Sequence, residues 1–127
     1  MNRIRKRVLV ADDDRDLLTL LELLLPFNGY EVRTCSNGEE VFSHIEDFKP
    51  DLVILDIHLG NVDGRQICQA IKSSEDLGPI PVIMISADDE SIYNTIVSFG
   101  ANDVISKPFN YSNLTDRIER QITQQSS

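Results

Sequence analysis

The sequence predicts a doubly wound α/β fold, a three-layer sandwich with five parallel strands between two layers of helices. Short apolar runs alternate with helical patterns five times along the chain, which is typical of βα units. The run Leu52–Leu55 is apolar at every position, as expected for a strand covered by helices on both faces. Because βαβ crossovers are right-handed, the helices are expected to cover both faces of the sheet.

The strands are predicted from short apolar runs that end at polar or turn residues. In chain order, the predicted strands are Arg7–Ala11, Tyr30–Cys35, Leu52–Asp56, Pro81–Ser86 and Asp103–Ser106. All five are short, and a helical pattern follows each of them. This order favours a parallel sheet over a hairpin-built one.

The first three helices are predicted from their start and stop signals. The first is leucine-rich and runs from about Asp14 to Phe27, before a glycine stop signal. Ser36 and Glu39 have the spacing of a capping box for the second helix. The third helix is expected from Gly64 to about Ser73.

The last two helices follow the fourth and fifth strands. The fourth is expected from about Asp88 to Phe99, because Ile92 and Ile96 are one helical turn apart. Asn110 or Ser112 is expected to cap the fifth.

The length and composition are those of one domain. With 127 residues and 41% hydrophobic content, the chain is long enough for one core. We expect a single domain over residues 1–127, with a core of about 6–122, a basic extension at 1–5 and a tail or linker start at 124–127. Cys35 and Cys68 are far apart, so neither a disulfide framework nor a metal cluster is predicted.

The charge is strongly acidic and unevenly distributed. The formal net charge is -9, and after a basic N-terminal cluster the remaining eight basic residues are outnumbered by 21 acidic ones. This balance argues against direct nucleic-acid binding and favours metal cations or basic protein surfaces as partners. We find no signal-peptide pattern and no membrane-span pattern, so we expect a cytoplasmic protein without a membrane partner.

Polar residues lie where the predicted strands end. They are Asp12 and Asp13 after the first strand, Asp56 in the third, Ser86 in the fourth and Lys107 after the fifth. The carboxyl ends of parallel strands share one edge, where ligands bind in doubly wound sheets. Three carboxylates close together repel one another. Lys107 and a hard divalent ion such as Mg²⁺ are therefore the candidate counter-charges.

Such a site has the groups that phosphoryl transfer requires. Asp56 can act as a carboxylate nucleophile and form an aspartyl phosphate. Mg²⁺ and Lys107 can neutralise charge on the transferring oxygens, and Ser86 can donate a hydrogen bond to the phosphoryl group.

Four motifs in this order resemble the receiver domain of two-component response regulators, including the chemotaxis regulators. They are VLVADDD, DLVILDIHLGNVDG, VIMISA and SKPF. The resemblance covers about residues 6–122 and implies a flavodoxin-like strand order of 2-1-3-4-5. It also implies that Asp56 accepts phosphate from a histidine kinase or a histidine phosphotransfer protein. The face of the fourth helix, fifth strand and fifth helix would then change its binding to a downstream effector or a linked output domain.

The resemblance also implies roles at individual positions. The Mg²⁺ ligands would be Asp12, Asp13, Asp56 and the backbone carbonyl of His58. The phosphoryl-binding and switch residues would be Ser86, Ala87 and Lys107, and the bond before Pro108 would be cis.

Three features depart from the family pattern or modulate it. Gly60 stands where many receivers have proline, which is expected to loosen the loop. Val104 stands three residues before Lys107, where the family often has a tyrosine or phenylalanine that moves with the switch, called the switch aromatic. His58 and Asp88 occupy positions that influence how long the phosphate survives. Asp14 is expected to be only a helix cap.

Two other functions stay open. One is a Mg²⁺-dependent phosphohydrolase, a class that usually has a second aspartate where this chain has His58. The other is a degenerate receiver that acts as a constitutive interaction module. On the principal hypothesis the protein is not a turnover enzyme and at most phosphorylates itself from small donors and dephosphorylates itself. Phosphorylation-dependent homodimerisation is also open.

Overall fold

Five parallel strands form the central sheet of the protein. A computed structural model describes residues 5–87 and 92–126. The strands are β1 Lys6–Ala11, β2 Tyr30–Cys35, β3 Leu52–Asp56, β4 Val82–Ser86 and β5 Asp103–Ser106. Their order in the sheet is β2-β1-β3-β4-β5, and every pairing is parallel. The predicted α/β fold and its strand order are therefore confirmed.

Five α-helices alternate with these strands. They are α1 Arg15–Leu24, α2 Val41–Phe48, α3 Gly64–Ser73, α4 Ile92–Phe99 and α5 Tyr111–Ser126. No helix in the described part of the chain combines the length and the apolar character that crossing a membrane requires.

The core has two apolar layers, one on each face of the sheet. Along β3, Val53 and Leu55 pack with side chains of α2 and α3, whereas Leu52 and Ile54 pack with side chains of α1 and α5. All five residues of β3 are buried. This burial on both faces explains why the strand has no polar alternation.

The first helix ends earlier than predicted. The α-helical part stops at Leu24, and the chain continues as a 3₁₀ turn over Leu25–Asn28. Pro26 lies in this turn and lacks the N–H that would continue the α-helical hydrogen bonds. Gly29 then closes the turn with a φ of 91°.

The predicted capping box before the second helix is wrong. A 3₁₀ turn over Gly38–Glu40 precedes α2, and the Asn37 side chain caps that turn by accepting a hydrogen bond of 3.0 Å from the Glu40 N–H. The turn begins one residue later than the Ser36–Glu39 pattern requires, so its cap is an asparagine.

The fifth helix begins at one of the two predicted caps and runs further than expected. Asn110, and not Ser112, accepts a hydrogen bond of 2.7 Å from the Asn113 N–H. The backbone stays helical through Ser126, beyond the expected end of the core at about residue 122. The predicted start of the fourth helix at Asp88 lies outside the described residues.

A short hairpin, which the sequence analysis treated as a loop, follows β3. His58–Leu59 pairs antiparallel with Val62–Asp63, and Gly60 begins the turn with a φ of 63°. Gly64 closes the connection, because its N–H donates a hydrogen bond of 2.7 Å to the Ile57 carbonyl.

Substitution of Gly64 by alanine is expected to destabilise the protein strongly. The added Cβ would lie 2.0 Å from the backbone oxygen of Asp56, so β3 or α3 would have to shift, at a cost of about 3 kcal/mol or more. Urea denaturation measures the loss.

Gly60→Ala is the matched control for this substitution. Its Cβ would meet no atom within 4 Å, so only its positive φ opposes alanine, at a cost of about 1 kcal/mol. Equal losses in the two variants would contradict the steric explanation.

Candidate functional site

Three carboxylates meet at the carboxyl edge of the sheet. The pairing of β1 with β3 matches Ala11 with Leu55, so the residues that follow, Asp12 and Asp56, lie side by side. One ligand oxygen each from Asp12, Asp13 and Asp56 lies within 4.8 Å of the others. Asp12 and Asp56 are buried, whereas Asp13 is exposed. The cluster is therefore closed toward the core and open toward solvent.

Lys107 extends its ammonium group into this cluster. Its Nζ lies 3.0 Å from Asp12 Oδ2 and 3.1 Å from Asp56 Oδ2. The Lys107 backbone N–H donates to the Ser86 carbonyl at 2.8 Å, which ties the end of β5 to the end of β4. The peptide bond between Lys107 and Pro108 is cis.

The pKa of Lys107 reflects two opposing effects. Burial by itself would lower the pKa, but hydrogen bonds and charge interactions with Asp12 and Asp56 outweigh burial and raise it. The side chain is therefore a positive charge at neutral pH, shared between the two buried carboxylates.

Asp12 is the carboxylate whose charge is hardest to accommodate. Burial raises its pKa to about 6, and hydrogen bonds from the Asp14 N–H and from Lys107 only partly offset that effect. The nearby charge of Asp56 raises the pKa further. Asp12 thus has a high affinity for a proton or another cation.

The residues present fit a Mg²⁺ ion. Among the described residues, Asp12 Oδ2 is a buried oxygen without a hydrogen-bond partner. Its contact with Lys107 has an ion-pair distance but is not a hydrogen bond. Mg²⁺ is bound by one or two carboxylates together with retained waters, and the exposed side of the cluster at Asp13 leaves room for them.

Asp56 is held through both of its carboxylate oxygens. Oδ1 accepts a hydrogen bond of 3.0 Å from the His58 N–H, and Oδ2 accepts one of 3.1 Å from Lys107 Nζ. On the neighbouring strand, Ile85 pairs with Asp56. Ser86, the next residue, is therefore at the same edge and is buried, whereas Ala87 is exposed.

Gly60 connects the hairpin to the acidic cluster. Its N–H donates to Asp13 Oδ2 at 3.4 Å, and its φ is 63°. Proline has no N–H and a φ fixed near -65°. Proline at this position is thus incompatible with the hairpin that this chain forms.

The remaining residues singled out from the sequence lie outside the acidic cluster or outside the described residues. The imidazole of His58 is exposed at the rim, and Val104 is buried in the core. Asp88 lies outside the described residues. The prediction that Asp14 caps a helix is confirmed, because its side chain accepts from the N–H groups of Asp16 and Leu17.

The backbone donors of the site, which are the N–H groups of Asp14, His58 and Gly60, were not predicted from the sequence. Side-chain motifs do not report such groups. A signal was available for the hairpin, since Gly60-Asn61 between two short apolar segments is a two-residue hairpin turn pattern.

Comparison with known families gives a match over most of the chain. A family model for the response regulator receiver domain matches residues 8–119. The alkaline phosphatase synthesis transcriptional regulatory protein PhoP of Bacillus subtilis is 34% identical over 117 residues, which are 91% of this chain and 48% of that protein. The chain therefore spans about half the length of the curated relatives it matches.

Solved structures agree with this match. The receiver domain of NtrX from Brucella abortus has a TM-score of 0.81 at 34% identity, covering 91% of this chain and 98% of that one. A response regulator from Chloroflexus aurantiacus has a TM-score of 0.86 at 30% identity, covering 94% and 98%.

Asp12→Asn is expected to change how stability depends on pH. The folded-state pKa of about 6 is above the ordinary value of 3.8, so protonated Asp12 stabilises the fold at low pH, and this stabilisation is lost as the pH rises through about 6. Asparagine cannot ionise. Without divalent cations, the free energy of unfolding of the variant should equal that of the native protein near pH 4. At about pH 7.5 it should be higher, by on the order of 2 kcal/mol.

Urea denaturation in a metal-chelating buffer at several pH values measures this difference. A difference in unfolding free energy that stays constant from acidic to neutral pH would contradict the assignment of the raised pKa to Asp12.

Proposed function

Because the chain belongs to the response regulator receiver domain family, we propose that it is a phosphoacceptor switch of a two-component system or phosphorelay. Asp56 accepts the phosphoryl group, from a histidine kinase or a histidine phosphotransfer protein. The observation that best supports this proposal is the contact of one ammonium group, Lys107 Nζ, with both Asp12 and Asp56 at 3.0 and 3.1 Å. Phosphoryl transfer to a carboxylate needs such a neutralised, pre-oriented nucleophile.

Asp56 acts as the nucleophile in the proposed reaction. A carboxylate oxygen forms the new bond to phosphorus, the bond from phosphorus to the donor histidine nitrogen breaks, and its electron pair stays on that nitrogen. Because the His58 N–H and Lys107 hold the two oxygens of Asp56, the carboxylate is oriented before the donor arrives.

The neighbouring groups accommodate the incoming charge. Bound Mg²⁺, held by Asp12, Asp13, Asp56 and the His58 carbonyl, would neutralise charge on the phosphoryl oxygens. Lys107 forms an ion pair with the phosphoryl group from the other side, since its raised pKa keeps it protonated. Ser86 and the backbone at Ala87 are the proposed hydrogen-bond donors to the phosphoryl group.

The proposed output is a change in protein binding at the face of α4, β5 and α5. One contact supports a connection between this face and the site, since the Lys107 N–H, directly after β5, is hydrogen-bonded to the Ser86 carbonyl. Within the face, Arg117 of α5 contacts Asp103 of β5 at 2.7 Å. On α4, Val97 is 62% exposed and is available to a partner. Val104 takes the place of the switch aromatic on β5.

The proposed partners are proteins. One is the phosphate donor, and the other is a downstream effector, a linked output domain or a second phosphorylated copy. The matched relative from Bacillus subtilis is a transcriptional regulatory protein. For this chain we propose a single receiver domain in the cytoplasm with no turnover activity beyond self-phosphorylation from small donors and autodephosphorylation. His58, at the rim, and Asp88 would influence the lifetime of the phosphate.

Incubation with acetyl phosphate and Mg²⁺ is expected to add the mass of one phosphoryl group to the intact protein. Asp56→Asn should abolish the adduct, because an amide is not a nucleophile for phosphorus. Intact-protein mass spectrometry measures the adduct, with a chelator as the metal-free comparison.

Asp63→Asn is the matched control for the adduct experiment. Asp63 is the nearby helix cap of α3, accepting from the Arg65 N–H at 2.9 Å, and asparagine caps a helix equally well. This variant should still form the adduct. An adduct that persists in Asp56→Asn would refute the assignment, and no adduct in the native protein would favour a constitutive interaction module.

Mg²⁺ is expected to raise the melting temperature by relieving carboxylate repulsion. When Mg²⁺ is present at ten times its dissociation constant, its binding adds about 1.4 kcal/mol to the free energy of unfolding. For a chain of this size, this corresponds to an increase in Tm of roughly 4–6 °C. Differential scanning calorimetry measures the shift. Asp13→Asn should reduce it, whereas Asp14→Asn should not, since Asp14 caps α1. A melting temperature that is insensitive to millimolar Mg²⁺ would count against the metal site.

A further inference from the structure

A second group of metal-ligating side chains lies between the end of β2 and the first turn of α2. It consists of Cys35, Glu40 and His44. One ligand atom from each, the thiol sulfur, a carboxylate oxygen and a ring nitrogen, lies within 4.8 Å of the other two. The spacing of Cys35 and Cys68 predicted no metal cluster, whereas the structure brings Cys35 close to a histidine and a glutamate.

The local backbone explains why these three residues meet. Cys35 is the last residue of β2, and the turn capped by Asn37 leads directly into α2. The Cys35 thiol contacts this turn and donates to the Asn37 carbonyl at 3.0 Å. Glu40 and His44 are four residues apart, one helical turn, with 3.9 Å between Oε2 and Nε2.

We propose that Cys35, Glu40 and His44 form a binding site for a thiophilic divalent transition-metal ion, of which Zn²⁺ is the representative. Thiolate, imidazole and carboxylate are the three ligand types that zinc takes in proteins. The acidic cluster contains only hard oxygen ligands, which suit Mg²⁺. The two sites therefore differ in the class of metal that they select.

The burial of the three residues suits a metal site with an entry path. Cys35 is buried, His44 is half-buried and Glu40 is exposed, so an ion can approach from the Glu40 side. Three protein ligands leave a fourth position for water or an external group. Binding forms a bond between metal and sulfur and releases the thiol proton to solvent, with no change in oxidation state.

Simpler explanations account for the residues one at a time. A buried cysteine often acts as a small apolar side chain, and a solvent-accessible Glu–His pair one helical turn apart is a weak ion pair. Neither explanation requires the thiol to lie beside that pair. The convergence of three different ligand types within coordination range supports the proposal.

Co²⁺ tests the site, because a cobalt–thiolate bond gives a near-ultraviolet charge-transfer absorption that oxygen ligands do not give. In the presence of excess Mg²⁺, the native protein should show this absorption at one Co²⁺ per chain. Cys35→Ser should abolish it, and Glu40→Gln and His44→Gln should each weaken Co²⁺ affinity by about tenfold or more.

The only other cysteine and the only other histidine in the sequence, Cys68 and His58, provide matched controls. Cys68→Ser and His58→Gln should leave the absorption unchanged. Asp56→Asn should also retain it, so this test is independent of the proposed phosphorylation. Glu40 is exposed, so Glu40→Gln avoids the loss of folding that could accompany a change at the buried cysteine.

Several results would overturn the proposal. They are no thiolate absorption in the native protein at millimolar Co²⁺, absorption that persists in Cys35→Ser, and full affinity in both Glu40→Gln and His44→Gln. A second readout is the melting temperature, which Zn²⁺ should raise equally in the native protein and in Cys68→Ser but less in Glu40→Gln.

Discussion

The ion pair of Lys107 with Asp12 and Asp56 is the interaction on which the carboxyl edge of the molecule depends. Two carboxylates are buried side by side there, and a buried charge without a partner is strongly destabilising. One ammonium group, 3.0 and 3.1 Å from the two carboxylates, compensates them only in part. The pKa of Asp12, raised to about 6 by burial, shows that a need for positive charge remains. The site is thus electrostatically incomplete, and a divalent cation or a proton can complete it.

The fold supplies this arrangement through the register of its parallel strands. Pairing of β1 with β3 and of β3 with β4 brings the ends of these strands to one edge, and the end of β5 is joined to β4 through the Lys107 N–H. The hairpin after β3 then adds backbone donors to Asp56 and Asp13. Close packing of Gly64 against the Asp56 carbonyl holds the start of α3 near this edge. The buried part of the site is therefore built from strand ends, while its solvent-facing part is a short turn.

Two groups of ligands of different chemistry occur within one small domain. The acidic cluster offers oxygen atoms, whereas Cys35, Glu40 and His44 offer sulfur, oxygen and nitrogen. Hard cations such as Mg²⁺ favour the first set and Zn²⁺ favours the second. The β2–α2 turn, where the second set lies, is also close to the hairpin, because a Cβ on Gly38 would lie 2.6 Å from Val62 Cβ. The turn at Gly38 thus packs closely against the Val62 side chain of the hairpin.

The sequence by itself determined the fold class, the strand order expected from its family resemblance and the acidic cluster. These depend on apolar runs such as Leu52–Leu55 and on polar residues at strand ends, which are local patterns. The tertiary structure decided the rest, including the asparagine cap before α2, the 3₁₀ turn at Pro26 and the hairpin at Gly60. It also decided that the ligand atoms of Cys35 and His44 lie within 4.8 Å of each other, since their proximity depends on how a turn directs the chain from a strand into a helix. Residue types and spacing predict which elements form, but only packing of those elements determines which side chains and backbone groups come within bonding distance.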